Sequence, residues 1–172
     1  FGQGYSATSV QMTSVFATIA NQGIRVEPSI VKAIVEADGT VVDTPDAERS
    51  RVVREDTARQ VMAMMEAVTG DGGTAPQARI PGYRVAGKTG TAQFVDLDCG
   101  CYAGDVTASF IGVVPADAPR LAVGVFVHQP QRGRTGGELA APGFKEVASY
   151  ARQAMQIPPS GKRAPTLSFT PG

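Results

Sequence analysis

Val85-Ala86-Gly87-Lys88-Thr89-Gly90-Thr91-Ala92-Gln93 sets one cation, two hydroxyls and a glycine side by side in its Lys88 to Thr91 centre. β-Favouring residues flank that centre, Tyr83 to Val85 before it and Gln93 to Val95 after it, so a strand is expected. Gly90 needs a reason of its own, because glycine weakens a strand interior and commonly marks where a ligand or a second backbone comes close. A fixed ammonium beside two hydroxyls and open backbone N–H groups is what a carboxylate or a developing oxyanion requires. The stretch is therefore expected to be an edge strand that recognises an anion at the rim of a cleft. Without that chemistry it is a solvated edge strand, since Lys and Thr are ordinary edge residues.

Gly82-Tyr83-Arg84-Val85-Ala86-Gly87-Lys88-Thr89 also satisfies the phosphate-loop spacing G-x-x-x-x-G-K-[ST]. A phosphate loop follows a buried strand and opens a helix whose N-terminus holds the phosphate. Thr74 to Pro81, with its two prolines, makes a poor central strand, and Gly90 to Val95 makes a poor helix start. Leu121 to Val127 runs into His128, not into an aspartate suited to hold magnesium. Nucleotide binding is set aside on these grounds.

Upstream, acidic Glu55 and Asp56 open a helix whose Ala58, Val61, Met62, Met65 and Val68 form a core stripe before Gly70-Asp71-Gly72-Gly73. Earlier still, Ser29 to Val35 and Thr40 to Val42 flank Asp38-Gly39, the signal for a two-residue surface hairpin. Thr8 with Gln11 makes a capping box, Met12, Val15, Phe16 and Ile19 share one helical face, and Gly23 ends that helix. Downstream, a loop from Asp96 to Gly104 precedes two apolar strands, Val106 to Val114 and Leu121 to Val127, joined by a turn at Pro115 to Pro119. Their near-continuous apolar character requires cover on both faces. His128 ends the second strand as a structural residue, and Arg132 to Gly137 form a flexible loop. A last helix runs from near Pro142 to Met155 with Val147, Ala148 and Ala151 inside, and Pro158-Pro159 stop it. The whole is an α+β fold, an antiparallel sheet flanked by helices, with a domain over 1–157 and a tail over 158–172.

The 172 residues carry 16 basic and 16 acidic side chains, with no basic stripe interleaved with aromatics, so nucleic acid is not an expected partner. No initiator Met, signal peptide or bilayer-long apolar run is present, and any anchor or export signal is expected upstream. Cys99 and Cys101 have no nearby His or second thiol pair to complete four ligands, so neither a metal nor a cofactor is expected.

Lys88-Thr89-Gly90-Thr91 resembles the third signature of penicillin-binding proteins and serine β-lactamases, the Lys-Thr-Gly element that accompanies Ser-x-x-Lys and Ser-x-Asn. The surrounding text strengthens it: Gly2-Gln3-Gly4, Ile19-Ala20-Asn21-Gln22-Gly23 with Pro28, Gly73-Thr74-Ala75, Ser109-Phe110-Ile111-Gly112 with Pro115, and Ala140-Ala141-Pro142-Gly143-Phe144. In that order they resemble the C-terminal half of a class B penicillin-binding transpeptidase domain, of the actinobacterial division type, over roughly Phe1 to Pro159. If the protein is exported, as the resemblance implies, Cys99 and Cys101 can pair with each other or with cysteines outside this chain; a bridge across one residue is strained.

The resemblance implies a peptidoglycan D,D-transpeptidase outside the cytoplasmic membrane, with D-Ala-D-Ala stem peptides and β-lactams as ligands. The N-terminal half of the same protein and a cell-wall glycosyltransferase are the implied partners. Lys88 would border the catalytic serine. Thr89 and Thr91 would hold the terminal carboxylate, the Thr91 N–H would form half of the oxyanion hole, and Gly90 and Gln93 would line the bound peptide. Ser29-Ile30-Val31-Lys32 is a literal Ser-x-x-Lys, but it follows Pro28 in a β-branched run, and serine and lysine must share a helix face. No Ser-x-Asn occurs, so the nucleophile is expected outside the chain, which alone would be inactive. A D,D-carboxypeptidase or β-lactamase-like hydrolase and a non-catalytic penicillin-binding sensor are the alternatives.

Overall fold

The Thr8 side chain accepts from the Gln11 N–H while the Gln11 side chain accepts from the Thr8 N–H, and this reciprocal cap starts α1 (Ser9–Ala20). The computed structural model describes residues 5–43, 46–96, 98–161 and 165. Gly23, at φ +82°, closes α1 by bonding its N–H to Thr18 O at 2.8 Å. Phe16 and Ile19 pack inward, but Val15 is 51% exposed, one position off the inner face where its spacing had placed it. The expected two-residue hairpin is a five-residue connection: β2 (Ala33–Val35) pairs with β3 (Val41–Asp43), and Glu36 N–H bonds across to Thr40 O. It begins at Ala33, because Ser29 Oγ accepts from Val31 N–H in a local turn. A second small pair, β1 (Ile24–Val26) with β4 (Arg49–Arg51), escaped the sequence reading, since three-residue strands containing arginine carry no alternation signal.

α2 (Glu55–Ala67) buries Ala58 and Met62 as expected, together with the charged Glu66. A loop and the short 3-10 turn Pro76–Ala78 lead into β5 (Ala86–Asp96), β6 (Cys101–Val114) and β7 (Leu121–His128), an antiparallel sheet of order β5-β6-β7. The β5–β6 turn is tighter than the expected loop to Gly104: pairing extends to Asp96 opposite Cys101, past an irregularity between Gln93 and Val95. Cys99 and Cys101 are disulfide-bonded to each other across this turn.

α3 (Gly136–Ala154) starts earlier than Pro142, on a Thr135 cap whose Oγ accepts from Glu138 N–H. Pro142 lies inside it and removes one i→i−4 bond. Gly136 and Gly137 are poor helix formers, which disguised the first turn as a loop. Phe144, Ala140, Ala141 and Ala148 face inward, whereas Val147 is 51% exposed and not on the inner face. α3 covers one face of the sheet, where Phe144 meets Phe110 edge-on at 4.9 Å and 65°, both fully buried. Such a pair adds about 1 kcal/mol to its burial. α1 and α2 cover the opposite face through Met62, Ala86 and Val113. The α+β class with helices on both sides of an antiparallel sheet is therefore observed. Ser160, placed in the tail by its composition, is anchored: its Oγ donates to Asp117 at 2.6 Å and accepts from Arg84 N–H at 2.8 Å. Among the described residues no helix is long and apolar enough to cross a membrane.

Candidate active site

β5 is an edge strand, paired among the described residues only with β6, and its open edge carries the polar groups. Val85 O accepts from Thr69 Oγ at 2.8 Å and Thr89 O accepts from Lys88 Nζ at 2.6 Å, while Arg84 O accepts from Ala116 N–H at 2.8 Å on the β6 side. Backbone groups of successive residues alternate sides in an antiparallel pair. The N–H groups of Thr89 and Thr91 consequently point away from β6, into the open.

Period-two alternation sends the Lys88 and Thr89 side chains to opposite faces. They nevertheless meet: the exposed lysine folds over the strand edge and its Nζ also lies 3.4 Å from Thr89 Oγ. Thr89 Oγ is in turn 3.1 Å from Thr74 Oγ. The cation, two threonine hydroxyls and outward N–H groups thus form one rim. Thr91 stands two residues along on the same face as Thr89, and exposed Gln93 another two, just before the strand irregularity.

Gly90 has a physical explanation in its cross-strand neighbour. A Cβ there would lie 2.4 Å from Ser109 Oγ across the strand pair. On the other side the first turn of α3 presses on the strand, for a Cβ on Gly136 would fall 2.0 Å from Ser109 O and 2.7 Å from Gly90 O. A Cβ on Gly137 would fall 2.1 Å from Thr74 O. The close approach of α3 to Gly90 is permitted by the missing Cβ of Gly136, while the missing Cβ of Gly90 itself makes room for Ser109 on the opposite face.

Beyond Gly90, on the face carrying α1, a groove of about 680 Å³ opens between Ser9 and Met12 of the helix and Gly90, Thr91, Ser109 and Phe126 of the sheet. The small residues Gly90 and Ala92 are part of its β5 wall, which continues through Thr91 and Gln93. His128 stands at the far end, bonded through Nδ1 to Thr107 Oγ at 2.9 Å and tilted against Phe94.

Support comes from beneath β5. Arg84 and Glu66 make a bidentate ion pair at 2.6 and 2.8 Å with side chains only 17% and 5% exposed. The Glu66 hydrogen bonds hold the Arg84 pKa above its ordinary value against the opposing effect of burial. Burial pushes the Asp117 carboxyl up, but the Ser160 hydroxyl, backbone amides and Arg84 together bring it below its ordinary value. This network fixes the start of the strand that carries Lys88. Sequence reasoning quoted Gly73-Thr74-Ala75 and Ser109-Phe110-Ile111-Gly112 without giving Thr74 or Ser109 a role, and it missed the part played by Gly136, Gly137 and the Glu66–Arg84 pair. A glutamate on an otherwise apolar helix stripe was the one available signal for the last.

Chemically the rim can hold a carboxylate and stabilise an oxyanion, which is one half of a serine acyl-transfer site. The literal Ser-x-x-Lys does not meet the helical requirement for a nucleophile: Ser29 is in the turn before β2 and not on a helix. Residues 1–149 match the family model described as the penicillin binding protein transpeptidase domain, and the chain belongs to that family. It is 42% identical over 177 residues to penicillin-binding protein PbpB of Mycolicibacterium smegmatis, covering 98% of this chain and 27% of that protein. It is 39% identical to the peptidoglycan D,D-transpeptidase FtsI of Escherichia coli K12, covering 92% of this chain and 25% of that one. Penicillin-binding protein 3 of Mycobacterium tuberculosis, solved in complex with ampicillin, superposes with a TM-score of 0.88 at 38% identity, over 99% of this chain and 40% of that one. The chain thus spans about a quarter of the length of these curated relatives.

Proposed function

We propose that the protein carrying this chain is a division-type peptidoglycan D,D-transpeptidase, and that the chain supplies the recognition and oxyanion half of its site. The carrying observation is the β5 rim, where Lys88 Nζ, the Thr89 hydroxyl and outward N–H groups converge beside an open groove. A serine from the N-terminal half, seated in that groove, attacks the carbonyl between the two terminal D-alanines of a stem peptide. The carbonyl π pair moves onto oxygen, where the Thr91 N–H and the serine's own N–H stabilise the charge. Collapse re-forms the carbonyl and breaks the C–N bond, and the terminal D-alanine leaves with the proton given up by the serine hydroxyl on its amine. An amine of a second stem peptide then displaces the serine and completes the cross-link.

Thr89 and Thr91 hold the terminal carboxylate of the peptide or of a β-lactam, and Lys88 raises the positive potential beside the serine. The peptide extends along the open edge of β5 past Gly90 and Gln93 as an added strand. The relatives bear on the substrate: FtsI is named as a D,D-transpeptidase and penicillin-binding protein 3 was solved with ampicillin. We place the domain on the extracytoplasmic face of the membrane, anchored by an upstream segment and working beside a cell-wall glycosyltransferase.

The test is incubation of the full-length protein with uncross-linked peptidoglycan strands. Release of D-alanine together with dimeric stem peptides supports the reading; release without dimers means a hydrolase, and neither product means a binding module.

A further inference from the structure

We infer that Thr74 is a positioning residue for the anion site: its hydroxyl donates to Thr89 Oγ and so turns the Thr89 proton toward the bound carboxylate. This rests on the proposed acyl-transfer function.

A threonine hydroxyl has one proton and two acceptor lone pairs. Thr89 Oγ has two donors within reach, Thr74 Oγ at 3.1 Å and the Lys88 ammonium at 3.4 Å. Lysine can only donate. When Thr74 donates as well, both lone pairs of Thr89 are engaged from the protein side, and its single proton is left for an acceptor beyond the rim. A carboxylate there completes the chain Thr74→Thr89→anion, each bond polarising the next. Reversal of the Thr74–Thr89 bond would spend the Thr89 proton on Thr74 and leave only lone pairs facing the carboxylate.

Thr74 can do this because its backbone is held on two sides. The Ala75 N–H bonds to Val68 O at 2.9 Å, and Ala75 is fully buried, tying the segment to the end of α2. On the other side Gly137 of α3 approaches so closely that a Cβ would lie 2.1 Å from Thr74 O. The same notional Cβ lies 3.7 Å from Thr89 Cγ2, so the Thr89 methyl faces α3 while its oxygen faces Thr74. A group held by two helices thereby sets the rotamer of a residue on the recognition strand.

The test compares acylation of the full-length protein by benzylpenicillin and by its methyl ester, which keeps the ring but masks the carboxylate. In Thr74→Val the preference for the free acid should fall about tenfold, the effect of one hydrogen bond to a charged group, and Thr74→Ser should restore it. In a Thr89→Val background Thr74→Val should cause no further loss of preference, because its effect passes through Thr89. An unchanged preference in Thr74→Val, or equal slowing with both probes, overturns the inference, and so does an additive loss in the double variant. If the parent protein is acylated by neither probe, the acyl-transfer reading falls, and this inference with it.

Discussion

Replacing Gly136 by alanine tests the link between fold and site. Its added Cβ would lie 2.0 Å from Ser109 O, 2.7 Å from Gly90 O and 3.0 Å from Gly90 N. All three atoms are backbone, fixed by β5–β6 pairing, so no side chain can swing aside. Relief requires the first turn of α3 to move by about 1 Å or more to regain van der Waals separation. Overpacking of this kind costs about 1–3 kcal/mol, or about 3–10 °C in melting temperature for a domain of this size. The same shift lifts Gly137 off Thr74 and Thr89, and a misplacement of about 1 Å at a reacting centre costs on the order of 100-fold in rate. The assay is thermal unfolding by circular dichroism and stopped-flow acylation by a fluorescent penicillin, both on the full-length protein. Gly39→Ala is the control: at φ +87° in the β2–β3 turn with nothing within 4 Å, it should cost about 1 kcal/mol and leave acylation intact. A Gly136→Ala protein that melts and acylates like the parent would refute the reasoning.

Lys88 is exposed, so Lys88→Ala should leave the melting temperature unchanged while slowing acylation about 100-fold; wild-type acylation would sink its assigned role. Glu66→Ala leaves a largely buried guanidinium unpaired and should cost about 3–5 kcal/mol in denaturant unfolding, much of it recovered when Arg84→Met is added. Asp117 has a folded-state pKa below its ordinary 3.8, so its contribution is present above that value and is lost as pH falls through the lower folded pKa. Asp117→Asn should therefore flatten the fall in stability below about pH 4; an unchanged slope would show that its pairing with Ser160 is not formed in solution.

The sheet and its helical cover were legible because they rest on strong periodic signals: the apolar runs of β6 and β7, the capped stripe of α1, and the acidic start of α2. The edge strand itself was legible from the β-favouring residues around Lys88 to Thr91, whereas Lys and Thr are ordinary edge residues and the chemistry read into them came from the resemblance to a family signature. What could not be read were the places where packing overrides local preference. Gly136 and Gly137 look like loop residues and are helical because only glycine lets α3 reach Gly90 and Thr74. Val15 and Val147 fit apolar spacings yet lie outside, because inner faces are set by which neighbours cover them. The Thr74–Thr89 contact joins residues 15 apart through a loop that has no period.

The most direct measurement is labelling of the full-length protein with a fluorescent penicillin, followed by peptide mapping of the modified residue. A label on a serine outside residues 1–172, strongly reduced in Lys88→Ala, is the expected result and makes this chain one half of an acyl-transfer site. A label on Ser29 or another serine of this chain, or no label on folded full-length protein, would contradict it.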